Sequence, residues 1–452
     1  MPLNKKQLEA IKKTLPTGRA FFNFTDREDY TKDAVEEKYI PDALFFAETE
    51  ADIVAAVNLC RENNIPLIMR GAGTGYSGGV LAVAGGLLLS IERMKKLQIH
   101  PVRRMAVAQP GVITAEIVRE AEKLGLFYPP DPASFEESTI AGNVAENAGG
   151  LRGKKYGVTK DYVLGFRGVT ADGNIVEINQ ETPFGLKDIL IGSEGTLIIF
   201  TEICLRLIDL PQIGRTIQAV FDNDISAART ISEILADGIV PRIMEFMDGD
   251  AIACSNQYDP AHCIPEGAAM VLFETDGIYS DSEANHILEV CQKYYPTLLT
   301  EARSEQERDQ LWRTRRDLSK AVKSAYQRKV AEDVCVPPSR LPELVGFVAE
   351  LNRNLRLRVN CYGHAGDGNL HVNFLGMTGS PEEEADINNG VKQLFIKTIE
   401  LGGTLSGEHG IGTTKKGFLG LEFDVDTIAF MKHIKNCFDP NQFLNPGKIF
   451  PE

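Results

Sequence analysis

Two histidines seven positions apart, His364 and His371, flank a glycine-rich stretch in the segment CYGHAGDGNLHVNF. The flanking runs VNCYGH and NLHVNF are typical of short strands, and residues 365–368 between them have the composition of a turn. The segment therefore predicts a β-hairpin with both histidines beside its turn.

A carboxylate and a third histidine follow in the run LSGEHGIG, which sets Glu408 and His409 between two glycines. Neighbouring side chains of an extended backbone point in opposite directions. Glu408 can therefore join His364 and His371 around a divalent metal, while His409 faces the same cavity as a base. Such a donor set suits zinc, iron, manganese or cobalt, and three protein ligands leave positions open for a substrate. The alternative is a set of hydrogen-bonded polar residues in a sheet.

The bulk properties are those of an ordinary soluble globular protein and do not favour binding to nucleic acid. A length of 452 residues is enough for two or three domains. The chain has 48 basic and 63 acidic residues and a net charge of −15. Nucleic acid and anionic membrane surfaces are therefore not expected as primary partners, and an anionic substrate requires a local positive site.

The N-terminal run MPLNKKQLEAIKKTLP predicts a polar amphipathic helix without the apolar core of a signal peptide. No run of eighteen apolar residues predicts a transmembrane segment. The eight cysteines are scattered and form no CxxC pair, so they are expected to be reduced thiols and not iron–sulfur ligands. We expect a cytoplasmic protein.

A second glycine-rich segment, RGAGTGYSGG, follows a helical pattern (TEADIVAAVNLCRENN) and a strand pattern (IPLIMR). Its glycines let the backbone approach a diphosphate with converging N–H groups. Tyr76 stands where a dinucleotide-binding GxGxxG needs glycine, and the next run, VLAVAGGLLLSI, predicts a hairpin and strand instead of a helix. The lysine of an ATP-binding loop is also missing. The segment thus matches neither a nicotinamide nor an ATP site, and a plain surface turn remains the alternative.

Three further segments predict a cofactor domain. Residues 130–150 are small, polar and glycine-rich, which permits close packing against a flat ring. A strand pair is predicted around the turn at 171–174, and IGSEGTLIIFTEICLRL predicts a strand after Gly195. Because these segments lack βαβ alternation, they favour an α+β fold.

The motifs RGAGTGYSGG, PDPAS, STIAGNVAENAGG, KYG, IGSEGTL, GHAGDGNLHVN, SGEHGIG and NPGK occur in this order over about residues 40–452. Together they resemble the FAD-linked D-2-hydroxyacid dehydrogenases of the vanillyl-alcohol-oxidase flavoprotein superfamily, of the glycolate oxidase D-subunit and soluble D-lactate dehydrogenase type. The resemblance implies an α+β protein with a PCMH-type FAD-binding domain and a substrate cap of antiparallel sheet and helices, the helices lying on one face.

The implied domains are an N-terminal helix and linker (1–40), the FAD-binding domain (41–212), the cap domain (213–425) and a C-terminal segment that returns to the FAD domain (426–452). The residues implied to bind FAD are Gly71, Ala72, Gly73, Thr74, Gly75, Tyr76, Ser77, Asp131, Ser138, Thr139, Gly142, Asn143, Gly149, Gly150, Gly157 and Ile199. Relatives that bind FAD covalently often carry a histidine or cysteine in the glycine loop. This loop has neither, so non-covalent FAD is expected.

The run LWRTRRDLSKAV places three arginines beside the only tryptophan. A basic cluster in an acidic protein is a candidate carboxylate clamp, because guanidinium pairs with carboxylate through two parallel hydrogen bonds. A solvated helix face is the alternative for each arginine. The resemblance favours Arg315 as the substrate-carboxylate residue, with Ser319 one turn later. Some relatives have a lysine before the following strand, but this chain has Val330 or Ala331 at that position with Lys329 beside it, so no role is assigned to a lysine.

The resemblance implies oxidation of a small D-2-hydroxy acid, with D-lactate or glycolate preferred, to the 2-oxo acid. His409 would accept the hydroxyl proton while hydride moves to the flavin N5, and Arg315 would hold the carboxylate. An electron-transferring flavoprotein or iron–sulfur subunit would take the electrons. The alternatives are a D-2-hydroxyglutarate dehydrogenase, a transferase like alkylglycerone-phosphate synthase, and a non-catalytic electron-carrying subunit, which the intact histidines disfavour.

Overall fold

The chain forms two compact units. The computed structural model describes residues 2–35, 37–265 and 267–451. The first unit comprises Met1–Gly150, Val158–Leu210 and Glu408–Glu452, and the second comprises Leu151–Gly157 and Pro211–Gly407.

The α-helices and β-strands of the described residues are numbered in chain order. The helices are α1 (Lys5–Thr14), α2 (Glu50–Asn63), α3 (Thr114–Glu122), α4 (Ile140–Glu146), α5 (Gly153–Tyr156), α6 (Thr159–Tyr162), α7 (Leu186–Leu190), α8 (Asp224–Ala236), α9 (Gly249–Tyr258), α10 (Ser280–Lys293), α11 (Glu305–Arg316), α12 (Leu318–Ala325), α13 (Leu341–Asn354), α14 (Pro381–Glu400), α15 (Leu419–Glu422) and α16 (Val425–Phe438). The strands are β1 (Ala20–Phe21), β2 (Ala43–Phe46), β3 (Leu67–Arg70), β4 (Leu87–Ser90), β5 (Leu97–His100), β6 (Met105–Ala108), β7 (Leu126–Phe127), β8 (Val163–Val169), β9 (Ile175–Asn179), β10 (Ile199–Arg206), β11 (Ile208–Asp209), β12 (Ile213–Phe221), β13 (Ile243–Asp248), β14 (Ala269–Asp276), β15 (Leu298–Glu301), β16 (Arg328–Cys335), β17 (Arg358–Gly363) and β18 (Asn369–Gly376).

The first sheet of unit 1 has the strand order β1-β2-β4-β3, with β2 and β3 both parallel to β4. Helix α2 connects β2 to β3. It begins at a capping box formed by Thr49 and Asp52, and its C-cap residue, Asn64, has a left-handed backbone conformation. This is a local βαβ arrangement, which the sequence analysis did not anticipate. The predicted hairpin in VLAVAGGLLLSI is also wrong, because the strand it contains, β4, pairs in parallel with β3. The partners of β4 lie far away in the sequence.

The second sheet of unit 1 is antiparallel, in the order β5-β6-β10-β8-β9. The predicted strand pair around 171–174 is confirmed, since β8 and β9 pair with Val169 opposite Ile175. The strand predicted after Gly195 is β10. A short pair, β11 with β7, completes the sheets of this unit in the described residues.

Unit 2 is built on an antiparallel sheet in the order β15-β12-β14-β13-β17-β18-β16. Ile252 of α9, Trp312 of α11 and Val322 of α12 form a buried cluster with Met247 of β13. The neighbouring Phe246 is also fully buried and must point to the opposite face. Helix α8 contacts β12, β13 and β14 without contributing to that cluster. The expectation of helices on one face is therefore wrong, because these strands are apolar on both sides and both faces need a cover.

The predicted histidine hairpin is confirmed as β17 and β18, which pair with Tyr362 opposite His371. Gly368 closes the turn with a φ of +78°, and a Cβ there would overlap the carbonyl oxygen of Val336. Glycine is thus required at this turn for both conformation and space. The tight turn fixes His364, which directly follows β17, relative to His371 on β18.

Among the described residues, the helices are too short or too polar to cross a membrane.

Candidate active site

The glycine loop of unit 1 begins where β3 ends, at Arg70. Arg70 is buried and donates to the carbonyl oxygens of Asp29 and Lys32, which anchors the start of the loop. A Cβ at Gly71 would overlap Thr139 Oγ1. The loop therefore lies directly against the start of α4, which Thr139 caps by accepting a hydrogen bond from the Gly142 N–H at 3.3 Å.

The structure brings several predicted FAD residues of unit 1 together with this loop. Ser138 and Thr139 are buried at the start of α4. Asn143 is also buried, and its Nδ2 donates to Thr114 Oγ1 at 2.6 Å, so this amide supports the α4 region. Gly150 packs against the backbone of Asp131, where a Cβ would overlap the Asp131 carbonyl.

Three other predicted FAD residues lie in different surroundings. Gly149 adjoins Glu408, whose Oε2 would lie 2.9 Å from a Cβ at position 149. Ile199 starts β10 and belongs to the buried apolar core of unit 1. Gly157 belongs to unit 2, where it ends α5 with a φ of +85°.

His409 lies beside the glycine loop in unit 1. Its ring stacks on Tyr76, with centroids 4.9 Å apart and an interplanar angle of 24°. Ser77 links the same two segments, because its carbonyl oxygen accepts a hydrogen bond from the Thr413 N–H at 2.7 Å. The predicted base and the predicted diphosphate loop are thus neighbours.

Glu194, which the sequence analysis missed, holds the His409 segment in place. Its buried carboxylate accepts hydrogen bonds from the backbone N–H groups of Ile411, at 2.8 Å, and Gly412, at 2.7 Å. Burial raises the pKa of Glu194, although these two N–H groups act in the opposite direction. The pKa of Glu146 is raised well above its ordinary value by burial and by the charge of Glu194. Glu194 is the glutamate of the motif IGSEGTL, which by itself predicts only the start of a strand.

The two hairpin histidines of unit 2 lie close together. The ring centroids of His364 and His371 are 5.3 Å apart and their planes are perpendicular, at 89°. One ring nitrogen of each lies within 4.8 Å of the other. Glu408 follows Gly407, the last residue of unit 2, which packs on the side chain of Asn369 at the start of β18. Two imidazoles at this separation suit a shared transition-metal ion.

Glu245 of β13, a residue that the sequence analysis did not select, connects two of the predicted site residues. Its side chain is fully buried. One oxygen, Oε1, lies 2.6 Å from His364 Nδ1, and the other, Oε2, accepts a hydrogen bond from Arg315 Nε at 2.5 Å. Burial alone would raise the pKa of Glu245, but the charge of Arg315 and the adjacent His364 lower it below its ordinary value. The signal was a single glutamate within the apolar run PRIMEFMD.

Arg315 is the most buried of the three clustered arginines. Its side chain is 11% exposed, whereas Arg313 and Arg316 are 53% and 60% exposed. The Arg315 guanidinium lies 5.3 Å from the centroid of Tyr362. The solvated-face alternative therefore describes Arg313 and Arg316 but not Arg315.

Lys329, to which the sequence analysis assigns no role, lies on the same face of the unit 2 sheet as Tyr362 and His371. Its Nζ is 3.3 Å from Ser319 Oγ and 3.3 Å from the Tyr362 hydroxyl. Strand pairing explains this position, because residues 329, 331 and 333 of β16 point to one face, and Asp333 is opposite His371. The strand register therefore places this lysine, which the sequence motifs alone do not.

Comparison with known proteins decides the family. Residues 41–179 match the model of an FAD binding domain, and residues 210–449 match the C-terminal domain of FAD linked oxidases. The chain belongs to the FAD-linked oxidase family. This FAD-linked oxidase is 36% identical to the glycolate oxidase subunit GlcD of Bacillus subtilis (strain 168), over 95% of this chain and 94% of that protein. It is 31% identical to a D-lactate dehydrogenase of Anaerostipes hadrus, over 98% and 97% of the two chains.

The fold of this FAD-linked oxidase is also found in p-cresol methylhydroxylase. That structure superposes with a TM-score of 0.80 over 99% of this chain and 98% of its own, at 15% sequence identity. The predicted family, the predicted PCMH-type fold with an FAD-binding domain, and the prediction of an FAD-dependent oxidoreductase are confirmed.

Proposed function

We propose that this FAD-linked oxidase oxidises a small D-2-hydroxy acid, D-lactate or glycolate, to the corresponding 2-oxo acid. The observation that carries the proposal is the row of Arg315, Glu245, His364 and His371 in unit 2, which combines a carboxylate-binding group with imidazoles of the kind that bind metals. The relatives named as acting on glycolate and D-lactate support the same substrate class.

We propose that His364, His371 and Glu408 bind a divalent metal, zinc, iron or manganese. The unit 2 residues fit this role. An ionised carboxylate can only accept, so His364 Nδ1 carries the hydrogen shared with Glu245, and Nε2 would be the ligand atom. Metal-binding histidines usually donate their other ring N–H to such a partner. When bound, the cation would lower the pKa of a coordinated hydroxyl group.

The glycine loop from Gly71 to Ser77, with Ser138 and Thr139 at the start of α4, is proposed to hold the FAD diphosphate. The missing side chain of Gly71 lets the loop backbone lie directly against Thr139, and this close approach fits the role because N–H groups can then face a phosphate. The loop residues contain no histidine or cysteine, so we propose non-covalent binding. When bound, FAD would supply the two-electron acceptor of the reaction.

The chain's own residues would bind the acid and move its proton. Arg315 donates through Nε to Glu245, and in the described part of the chain its two Nη atoms donate to no protein oxygen. The Nη edge is therefore suited to a substrate carboxylate. His409 would accept the hydroxyl proton. Tyr76 would hold the orientation of the His409 ring by stacking on it. General-base catalysis of this kind contributes about 10² to 10⁴ in rate.

Oxidation of the acid would require a final electron acceptor in addition to FAD. We propose a protein acceptor, an electron-transferring flavoprotein or an iron–sulfur subunit, and a cytoplasmic reaction. The sequence contains neither a nicotinamide-binding loop nor a CxxC motif of its own, which supports an external acceptor.

Anaerobic bleaching of the bound flavin tests the proposal. D-Lactate and glycolate should each bleach the flavin, D-2-hydroxyglutarate more slowly, and the L-enantiomers of the chiral acids should leave it oxidised. Flavin that none of these acids reduces would refute the proposed oxidation. Flavin modified only by an acyl-dihydroxyacetone phosphate would assign the protein to the transferase alternative.

A further inference from the structure

We infer that Glu245 is a positioning residue that links the proposed metal ligand His364 to the proposed carboxylate clamp Arg315, so that one side chain sets both. The inference rests on the proposed function. It adds a residue that touches neither substrate nor cofactor but fixes the two groups that do.

Each carboxylate oxygen of Glu245 contacts one of the two linked residues. Oε1 is 2.6 Å from His364 Nδ1, and Oε2 accepts from Arg315 Nε at 2.5 Å. Hydrogen bonds from nitrogen donors to an ionised carboxylate are charge-assisted and stronger than neutral ones. The histidine ring and the guanidinium can therefore not rotate independently of this carboxylate.

The position of Glu245 in the fold makes it a rigid link. It lies in β13, whose neighbouring residue Phe246 pairs with Gly363 and whose Met247 pairs with Tyr362. Tyr362 lies beneath the Arg315 guanidinium. Side chains on helices and strands are positioned more precisely than side chains on loops, and Glu245 lies on a strand and Arg315 on helix α11. The side chains of Glu245 and His364 are buried, with exposures of 0% and 4%, and the side chain of Arg315 is 11% exposed.

The charges also favour a linking role. A buried carboxylate needs compensation, and the charge of Arg315 provides it. The same carboxylate makes His364 a more basic ligand by accepting its Nδ1 hydrogen. Loss of the carboxylate should thus weaken a metal at His364 and at the same time release Arg315 from its fixed orientation.

The first experiment compares Glu245→Gln with Glu274→Gln in flavin-loaded protein. Glu274 is a matched control, since it is a buried glutamate on the neighbouring strand β14 that pairs with Arg242 and accepts from Trp312 Nε1, without a contact to His364. Metal per flavin is measured by elemental analysis after equilibration with graded chelator. We expect Glu245→Gln to lose its metal at a chelator concentration roughly 10- to 100-fold lower than the parent requires. Glu274→Gln should match the parent. Parental chelator resistance in Glu245→Gln would overturn the inference.

The second experiment tests separately whether Glu245 positions Arg315. Binding of oxalate, a diacid that cannot undergo this oxidation, is followed by the flavin spectrum in metal-free parent and metal-free Glu245→Gln. A further loss of oxalate affinity of about tenfold in the variant is expected, because Arg315 has lost its anchor. Equal affinities in the two metal-free proteins would show that Glu245 does not position Arg315.

A shorter carboxylate provides the test if Glu245→Gln does not retain flavin. Glu245→Asp keeps the charge but lacks one methylene, so it cannot reach both partners at their present distances. It should lose about tenfold in metal or in oxalate affinity, and parental values for both would refute the link.

His364→Ala separates the two proposals. A His364→Ala protein that keeps stoichiometric metal refutes the metal site of the proposed function. A His364→Ala protein that loses its metal, together with a Glu245→Gln protein that retains it, refutes only the role of Glu245.

Discussion

Replacing Glu194 by glutamine should slow substrate-dependent flavin reduction by releasing the His409 segment. Glu194 accepts two backbone hydrogen bonds, from Ile411 and Gly412. Hydrogen bonds to a charged group contribute about 1.5 to 3 kcal/mol each. The glutamine oxygen can accept one of them more weakly, while its NH₂ group meets the second N–H donor to donor.

The expected loss is therefore about 2 to 4 kcal/mol in holding this segment. Since about 1.4 kcal/mol corresponds to a factor of ten, the equilibrium between the held and the released segment would shift toward release by a factor of roughly 30 to 700. If His409 acts only from this conformation, the rate constant of flavin reduction should fall within the same range. Flavin content should remain parental, because the glycine loop itself is unchanged.

Stopped-flow absorbance under anaerobic conditions measures this rate constant with D-lactate and glycolate. Glu202→Gln, in the following strand β10, serves as the matched control. Because burial raises the pKa of Glu194, the difference between parent and variant should widen as the pH rises and the parent ionises further. A Glu194→Gln rate within threefold of the parent at high pH would refute this reasoning.

Three further predictions follow from single features of the structure. His409→Asn should retain flavin and lose about 10²- to 10⁴-fold in flavin reduction, as expected for a lost general base, and unchanged bleaching would remove His409 from the proposed mechanism. His364→Ala and His371→Ala should each yield protein with flavin but without stoichiometric divalent metal by elemental analysis, and metal retained in either variant would contradict the proposed ligands. Burial raises the pKa of Asp248 from 3.8 to about 8, so the folded state binds this proton more tightly than the unfolded state. The stability of unit 2 should therefore decline as the pH rises from about 4 through about 8, as followed by the fluorescence of Trp312, the only tryptophan, and Asp248→Asn should flatten this dependence.

Local turn and helix signals accounted for the parts of the fold that could be predicted. The histidine hairpin follows from a turn of glycines between two strand-like runs, and helix α2 from its cap and its apolar spacing. The pairing of β4 was predicted incorrectly, because its parallel partners are separated from it along the chain and leave no local signal. The burial of β13 on both faces was likewise invisible before its neighbours were known.

The site shows the same division. His364, His371 and His409 could be selected as candidates because glycines and metal-binding residue types mark them within short motifs. Glu245 and Glu194 were missed because their partners lie 119 and 217 positions away, respectively. A carboxylate acquires its function from what it faces, and strand pairing decides that. The predicted domain boundaries and the assignment of individual FAD residues stay predictions.

The anchoring of the His409 segment through main-chain groups has a consequence for protein engineering. Glu194 contacts the N–H of Ile411 and not its side chain, so any residue other than proline can donate the same hydrogen bond. Position 411 is therefore a site where a saturation library could vary size and polarity next to the base while the backbone path remains intact. Altered substrate range from such a library would come from the side chain itself and not from a displaced loop.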